Sequence, residues 1–141
     1  MISTINSILL VEDDPMDVDL TKQALARRGV ANPVVVARDG EEALAYLPRW
    51  EAGEPLPLVI LLDLHLPKVD GLQVLSQIKS HPRFHTIPVV VLTTSSEDRD
   101  MQTAYQLGAN SYIVKSVDFD KFMQVAEQID LYWCVLNTIP R

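Results

Sequence analysis

The sequence predicts an α/β fold, in which a parallel five-stranded sheet is covered by helices on both faces. Five short apolar runs alternate with segments of helical spacing, and the middle runs are rich in Val and Ile without polar alternation. Such runs are typical of parallel strands that are buried on both faces. The chain has 141 residues, of which 48% are hydrophobic and 22% charged. We therefore expect one domain over residues 1–141.

The five apolar runs are predicted to be the strands, because each has about the length of a strand and is bounded by polar or turn residues. They are Ile8–Val11, Val34–Ala37, Leu58–Leu62, Val89–Leu92 and Tyr112–Val114.

Helix end signals occupy the intervals between these runs. Asp14 and Pro15 predict an N-cap followed by a first-turn proline, so the first helix covers Met16–Arg28 and ends before Gly29. The second helix is predicted to begin near Asp39 and to continue through Leu47. A surface loop is expected over residues 50–57, and the third helix begins near Asp70 and ends before Pro82.

The last two helices are predicted from capping and spacing. Ser95 with Asp98 three residues later suggests a capping box, and Gly108 closes that fourth helix. The fifth helix is expected over residues 118–136. Its apolar stripe suits packing on the sheet, but its final turns are apolar all round. We therefore expect a homodimer through this helix and its neighbours, with Phe122, Tyr132 and Trp133 as interface candidates.

Charge and composition exclude several classes of function. Asp and Glu outnumber Lys and Arg by 19 to 12, which gives a formal net charge of −7. An acidic surface repels phosphate backbones and anionic lipid, so neither nucleic acid nor membrane is expected as a partner. The single cysteine, Cys134, excludes an internal disulfide and suits a reducing compartment. Without a signal peptide or a long apolar span, we expect a cytoplasmic protein.

Polar residues follow four of the predicted strands, at the edge where ligands bind in open parallel sheets. Glu12, Asp13 and Asp14 follow the first strand and Asp63 the third, while Thr93 and Thr94 end the fourth and Lys115 follows the fifth. Grouped carboxylates repel one another unless a cation neutralises them, and oxygen ligands suit Mg²⁺. With a hydroxyl and a lysine, they are the groups needed to receive a phosphoryl group. Asp14 is interpreted as a helix cap only.

The histidines carry little weight in this prediction. His81 and His85 flank Pro82 in a turn and are expected to be solvated, and the ring of His65 is not expected to bind a metal.

Four segments of the chain resemble the receiver domains of two-component response regulators. They are Leu10–Pro15, Leu61–Pro67, Val91–Thr94 and Gly108–Lys115, in the order and spacing of that family. The resemblance implies a flavodoxin-like (βα)5 three-layer sandwich with strand order 2-1-3-4-5. It also implies a receiver domain that accepts a phosphoryl group and signals through contacts with another protein, since no output domain is expected within the chain.

The resemblance assigns roles to individual residues. Asp63 would be the phosphoacceptor, and Mg²⁺ would be held by Asp13, by Glu12 through a water, by Asp63 and by the backbone carbonyl of His65. Thr93 would be the switch hydroxyl with Thr94 beside it, Lys115 would pair with the phosphoryl group, and Tyr112 would be the aromatic switch. A half-buried strand aromatic explains Tyr112 equally well.

Finer features point to a subgroup and to one departure. The segments Arg38–Leu44, Trp50–Pro57 and Leu92–Ser95, with Tyr132 and Trp133, resemble the stand-alone regulators paired with phytochrome-type histidine kinases.

The family usually has proline after the lysine, where this chain has Ser116. We expect that Lys115 is therefore aimed less well, so that the chain accepts phosphate but holds the activated state less firmly.

Two other functions stay open at this point. Ser116 is compatible with a receiver-fold adaptor that works without phosphate. A phosphohydrolase with an aspartyl nucleophile usually needs a second acid two residues after the nucleophile, and His65 occupies that position. No enzymatic turnover is therefore expected beyond slow self-dephosphorylation.

Overall fold

The computed structural model describes residues 6–115, so the predicted fifth helix, Ser116 and the interface candidates lie outside the described residues. The elements follow in the order β1 (Ile8–Val11), α1 (Pro15–Arg27), β2 (Val34–Ala37), α2 (Gly40–Leu44), α3 (Tyr46–Glu51), β3 (Val59–Leu62), α4 (Gly71–Lys79), a 3₁₀ turn (Phe84–Thr86), β4 (Val89–Thr93), α5 (Asp98–Gln106) and β5 (Ser111–Val114).

The five strands form one parallel sheet in the order β2-β1-β3-β4-β5, which confirms the predicted fold. The pairing aligns the carboxyl ends of neighbouring strands, with Val11 opposite Leu62 in β1 and β3. Further along the same sheet, Thr93 of β4 pairs with Val114 of β5. Residues that follow these positions therefore meet at one edge of the sheet.

The hydrophobic core lies in two layers, because alternate residues of a strand point to opposite faces of the sheet. One layer packs Ile8, Leu10, Val59 and Leu61 against residues of α1. The other layer contains Leu9, Val11, Ile60 and Leu62 together with residues of α2, α3, α4 and α5. Helices on both faces explain why the strands lack polar alternation.

Aspartate caps start three of the helices as the sequence predicts. The Asp14 carboxylate accepts a hydrogen bond from the Met16 amide at 2.9 Å, and the Asp39 carboxylate accepts one from the Glu42 amide at 2.8 Å. Asp70 caps α4 in the same way. The cap residue of α1, Asp14, lies three residues after the end of β1, which places Glu12 and Asp13 in the connection between the two elements.

The predicted second helix is wrong in its continuity, because it is two helices that meet at Ala45. Pro48 has no N–H to donate to the carbonyl of Leu44, so the helical hydrogen bonding breaks there. The predicted loop also begins too early. Trp50 belongs to α3, is 3% exposed, and packs edge-on against Phe84 with ring centroids 5.5 Å apart.

Two further local predictions are wrong. The N-cap of α5 is Glu97 instead of Ser95, and its side chain makes no capping hydrogen bond. Ser95 lies two residues too early for a capping box, and its hydroxyl donates to the Asp100 carboxylate at 2.5 Å. His81 is half-buried instead of solvated, since its ring stacks on Phe84 at 4.1 Å and its Nε2 lies 2.8 Å from Glu51.

Within residues 6–115, none of the helices has the length and apolar character required to cross a bilayer.

Candidate functional site

The carboxylates at the sheet edge are brought together by strand register. Glu12 and Asp63 each follow a residue of the pair Val11 and Leu62, and the Asp63 amide donates to the Val11 carbonyl at 3.1 Å. Asp13 is the next residue along the chain. One carboxylate oxygen from each of Glu12, Asp13 and Asp63 lies within 4.8 Å of the others. We call these three residues the acidic cluster.

The acidic cluster has the chemistry of a divalent cation site. Glu12 and Asp63 are 3% and 7% exposed, whereas Asp13 is open to solvent. Three oxygen ligands on one side, with solvent on the other, suit Mg²⁺, which retains several waters when it binds to proteins. Among residues 6–115, this is the group of acidic side chains that meets the geometry of a metal site.

Burial shifts the pKa of Glu12. Loss of water contact raises the pKa of Glu12 from an ordinary value of 4.5 to about 7, although the hydrogen bond from Lys115 opposes this rise. The negative charge of Asp63 adds to the increase. The site therefore contains a carboxyl group whose charge is costly at neutral pH unless a further cation is present.

Lys115 supplies the positive charge of the site. It follows β5, and its amide donates to the Thr93 carbonyl at 2.6 Å. Its ammonium donates to the Glu12 carboxylate at 2.5 Å, to Asp17 at 2.8 Å and to Asp63 at 3.3 Å. Burial alone would lower the pKa of Lys115, but the three carboxylates outweigh it and raise that pKa above its usual range. Lys115 is therefore fixed as a cation beside Asp63.

The backbone around Asp63 is tightly packed. The other oxygen of its carboxylate accepts a hydrogen bond from the His65 amide at 3.2 Å, while the His65 side chain is exposed. Gly71, the first residue of α4, leaves no room for a side chain, because a Cβ there would lie 2.3 Å from the Asp63 carbonyl and 2.6 Å from Leu64 Cα. Glycine thus allows α4 to pack directly behind the end of β3.

The hydroxyl residues and the aromatic residue lie on β4, β5 and the loop between β4 and α5. Thr93 is fully buried and its hydroxyl oxygen accepts from the Ser95 amide at 3.4 Å, whereas Thr94 is exposed. The Tyr112 hydroxyl donates to the Ser95 carbonyl at 2.9 Å, and burial raises the pKa of Tyr112. Tyr112 is thus hydrogen-bonded to the loop that follows Thr93.

Asp17 is the residue of this site that the sequence interpretation missed. It lies in the first turn of α1, where an acid is expected from the helix dipole alone. No local signal linked Asp17 to the site, because Asp13 and the cap residue Asp14 both lie before the first turn of α1. The contact with Lys115, which lies 98 residues away, is visible only in the folded chain.

A parallel 2-1-3-4-5 sheet with a carboxylate cluster and a lysine at its carboxyl edge defines the class of response regulator receivers. Residues 8–127 match the sequence pattern of the response regulator receiver domain, and the chain belongs to that family.

Two relatives match this chain over most of their own length. The chain is 46% identical over 134 residues to the probable methanogenesis regulatory protein FilR2 of Methanothrix harundinacea, covering 94% of this chain and 86% of FilR2. It is 39% identical over 135 residues to response regulator Rcp1 of Synechocystis, covering 94% of this chain and 92% of Rcp1.

Solved structures agree with this placement. The phosphorylated cyanobacterial phytochrome response regulator RcpA superposes with a TM-score of 0.90 at 43% identity, covering 98% of this chain and all of RcpA. The Mn²⁺-bound form of Rcp1 superposes with a TM-score of 0.88 at 38% identity, covering 96% and 99% of the two chains. The similarity to phytochrome-associated regulators confirms the predicted subgroup resemblance.

Proposed function

We propose that this receiver accepts a phosphoryl group on Asp63 from a histidine kinase and signals through the change in conformation that follows. The observation that carries the proposal is the position of the Asp63 carboxylate. It belongs to the acidic cluster and lies 3.3 Å from the Lys115 ammonium, at the open edge of the sheet. A nucleophilic carboxylate next to a cation site and a fixed lysine is the arrangement that phosphoryl transfer requires.

The residues that would hold Mg²⁺ are Asp13, Asp63, the backbone carbonyl of His65 and, through a water, Glu12. The all-oxygen donor set of the acidic cluster fits this ion. When bound, Mg²⁺ would neutralise charge on the cluster and on the phosphoryl oxygens.

The transfer itself needs only the carboxylate of Asp63 as nucleophile. One of its oxygens would attack phosphorus as the P–N bond of phosphohistidine breaks, and the bonding electron pair leaves with the imidazole. The ammonium of Lys115 and the hydroxyl of Thr93 would donate to the phosphoryl oxygens, with Thr94 beside them. Tyr112 would report the rearrangement of Thr93, because its hydroxyl is bonded to the Ser95 carbonyl in the loop between them.

The partners follow from the same proposal. We propose a sensor kinase of the phytochrome type, which is supported by the similarity to RcpA and Rcp1. Over residues 1–141 we propose one receiver domain, whose signal passes to a downstream protein by population shift. A homodimer through the region of Phe122, Tyr132 and Trp133 belongs to the proposal too, and its basis is the apolar sequence of that region.

The test is phosphotransfer from candidate histidine kinases, with the phosphoryl group detected as added intact mass. We expect the wild type and the Asp14→Asn control to gain one phosphoryl group when Mg²⁺ is present, and Asp63→Asn to gain none. Asp14 is a matched control because it adjoins the acidic cluster but caps α1, a role that asparagine also fills.

Each other outcome identifies a different function. The phosphate-independent adaptor would be favoured if the wild type gains no phosphoryl group from any kinase and does not bind beryllium fluoride, a phosphoryl analogue, in the presence of Mg²⁺. Rapid multiple turnover of a small phosphodonor would instead favour a phosphohydrolase. Equal incorporation by Asp63→Asn would show that Asp63 is not the acceptor.

A further inference from the structure

We propose that Asp17 is a positioning residue, which holds the Lys115 ammonium at the phosphoacceptor from the side of α1. This inference rests on the proposed function of Asp63 and adds a residue outside the acidic cluster. Its basis is the contact of 2.8 Å between the Asp17 carboxylate and Lys115 Nζ.

The donor count at Lys115 carries the argument. An ammonium group has three N–H donors, and here each has one carboxylate partner: Glu12, Asp17 and Asp63. The Lys115 side chain is only 5% exposed, so water does little to share this role. Three acceptors on three different elements fix the position of the nitrogen atom, whereas two would leave it free to rotate about one axis.

The distances give Asp17 a distinct part in this arrangement. The contact to Asp63 is the longest at 3.3 Å, and the two shorter contacts, to Glu12 and Asp17, come from β1's end and from α1. Lys115 is thus anchored by groups that do not react, and it points its remaining donor at the group that does. Because Asp17 is 29% exposed, its charge costs less to maintain than that of buried Glu12.

The backbone of Asp17 is also held. Its carbonyl accepts a hydrogen bond from the Thr21 hydroxyl at 2.8 Å, and Thr21 is buried against the core. The position of Asp17 on α1 is therefore set by helix packing and not by the site. A rigid anchor of this kind spares Lys115 the cost of being ordered when a phosphoryl group arrives.

The test uses acetyl phosphate as phosphodonor with Mg²⁺, where the Asp63 carboxylate attacks phosphorus and acetate leaves. We expect Asp17→Asn to lower the rate of incorporation about five- to tenfold, less than the ~100-fold that a 1 Å misplacement can cost. Asp19→Asn is the matched control, since it removes the same charge from an exposed position two residues along α1. Asp17→Glu should recover part of the rate.

The role of Asp17 through Lys115 is isolated by repeating the substitution in a Lys115→Ala background. There, Asp17→Asn should have no further effect on the rate. A similar loss in both backgrounds, or a rate equal to or above wild type for Asp17→Asn alone, would overturn the proposal.

A second measurement separates this inference from the proposed function. In the protein without phosphodonor, the ¹⁵N resonance of the Lys115 ammonium should shift and broaden in Asp17→Asn but not in Asp19→Asn. If the wild type takes no phosphoryl group, the proposed function fails, and this resonance still decides whether Asp17 positions Lys115. An unchanged resonance would refute the positioning role.

Discussion

Neutralising Asp13 should stabilise the metal-free protein while removing its response to Mg²⁺. In Asp13→Asn the amide keeps the shape of the carboxylate but loses its charge. Asp13 oxygens lie within 4.8 Å of oxygens of both Glu12 and Asp63. At that separation each repulsion is about 0.9 kcal/mol in water and ~3.5 kcal/mol at an effective dielectric constant of 20. Because Asp13 is exposed, the lower figure applies, and two pairs give an expected gain of about 1–2 kcal/mol.

The assay is urea denaturation at pH 8, with a chelator or with Mg²⁺. At ten times the dissociation constant, Mg²⁺ should stabilise the wild type by about 1.4 kcal/mol and Asp13→Asn by much less. The metal-free gain should shrink in 1 M salt, where the screening length is about 3 Å. Asp14→Asn is the control, with neither effect expected. The reasoning is refuted if Asp13→Asn is no more stable than wild type without metal, or if Mg²⁺ stabilises both proteins equally.

Four further outcomes are expected. The raised pKa of Glu12, about 7 against 4.5, means that the folded protein binds more protons between these values, so metal-free stability should fall by up to about 3 kcal/mol as pH rises from 5 to 8. Denaturation midpoints measured across this pH range test the expectation. It would be contradicted if the stability of Glu12→Gln depended on pH as strongly as that of the wild type. Gly71→Ala should cost about 1–3 kcal/mol or more, because its Cβ would meet backbone atoms at 2.3 and 2.6 Å. Gly29→Ala, with a φ of +79° but nothing within 4 Å, should cost only ~1 kcal/mol in the same denaturation series, and equal losses would argue against the steric explanation. Lys79→Met should lower the free energy of unfolding, measured by heat or urea, by about 1–3 kcal/mol, because Lys79 Nζ donates to the Ile87 and His85 carbonyls at 2.7 and 3.0 Å. Lys22→Met, at an exposed position of α1, is the control and should leave the free energy of unfolding unchanged. Light scattering at tens of micromolar (about the range of weak dimers) should show self-association, and a monomer would count against the dimer.

The fold was predictable from sequence because its strongest signals are local. The apolar runs of β1 and β3 carry no polar alternation, and the aspartates at positions 14, 39 and 70 cap helices wherever they occur in the chain. The strand order required the family resemblance, since nothing local states which strands are neighbours. The break at Ala45 was missed because Pro48 is the third residue of α3, and proline is tolerated in the first turn of a helix.

The candidate site was also predictable only in part. Glu12, Asp63 and Lys115 were predictable because residues that follow parallel strands meet at one edge. The individual contacts were not predictable, because packing decides which carboxylates the long side chain of Lys115 reaches. Asp17 and Gly71 illustrate this, because only the folded chain places Asp17 against Lys115 and Gly71 against Asp63.

The contact between Glu12 and Lys115 joins residues that are 103 positions apart in the chain. A contact of such long sequence separation closes a large loop, and β3 and β4 lie between β1 and β5 in the sheet. The candidate site is therefore complete only when all four strands are paired. Any ion or phosphoryl group that bridges these strand ends acts as a clamp on the whole sheet, and cooperative unfolding becomes a direct readout of whether the site is occupied.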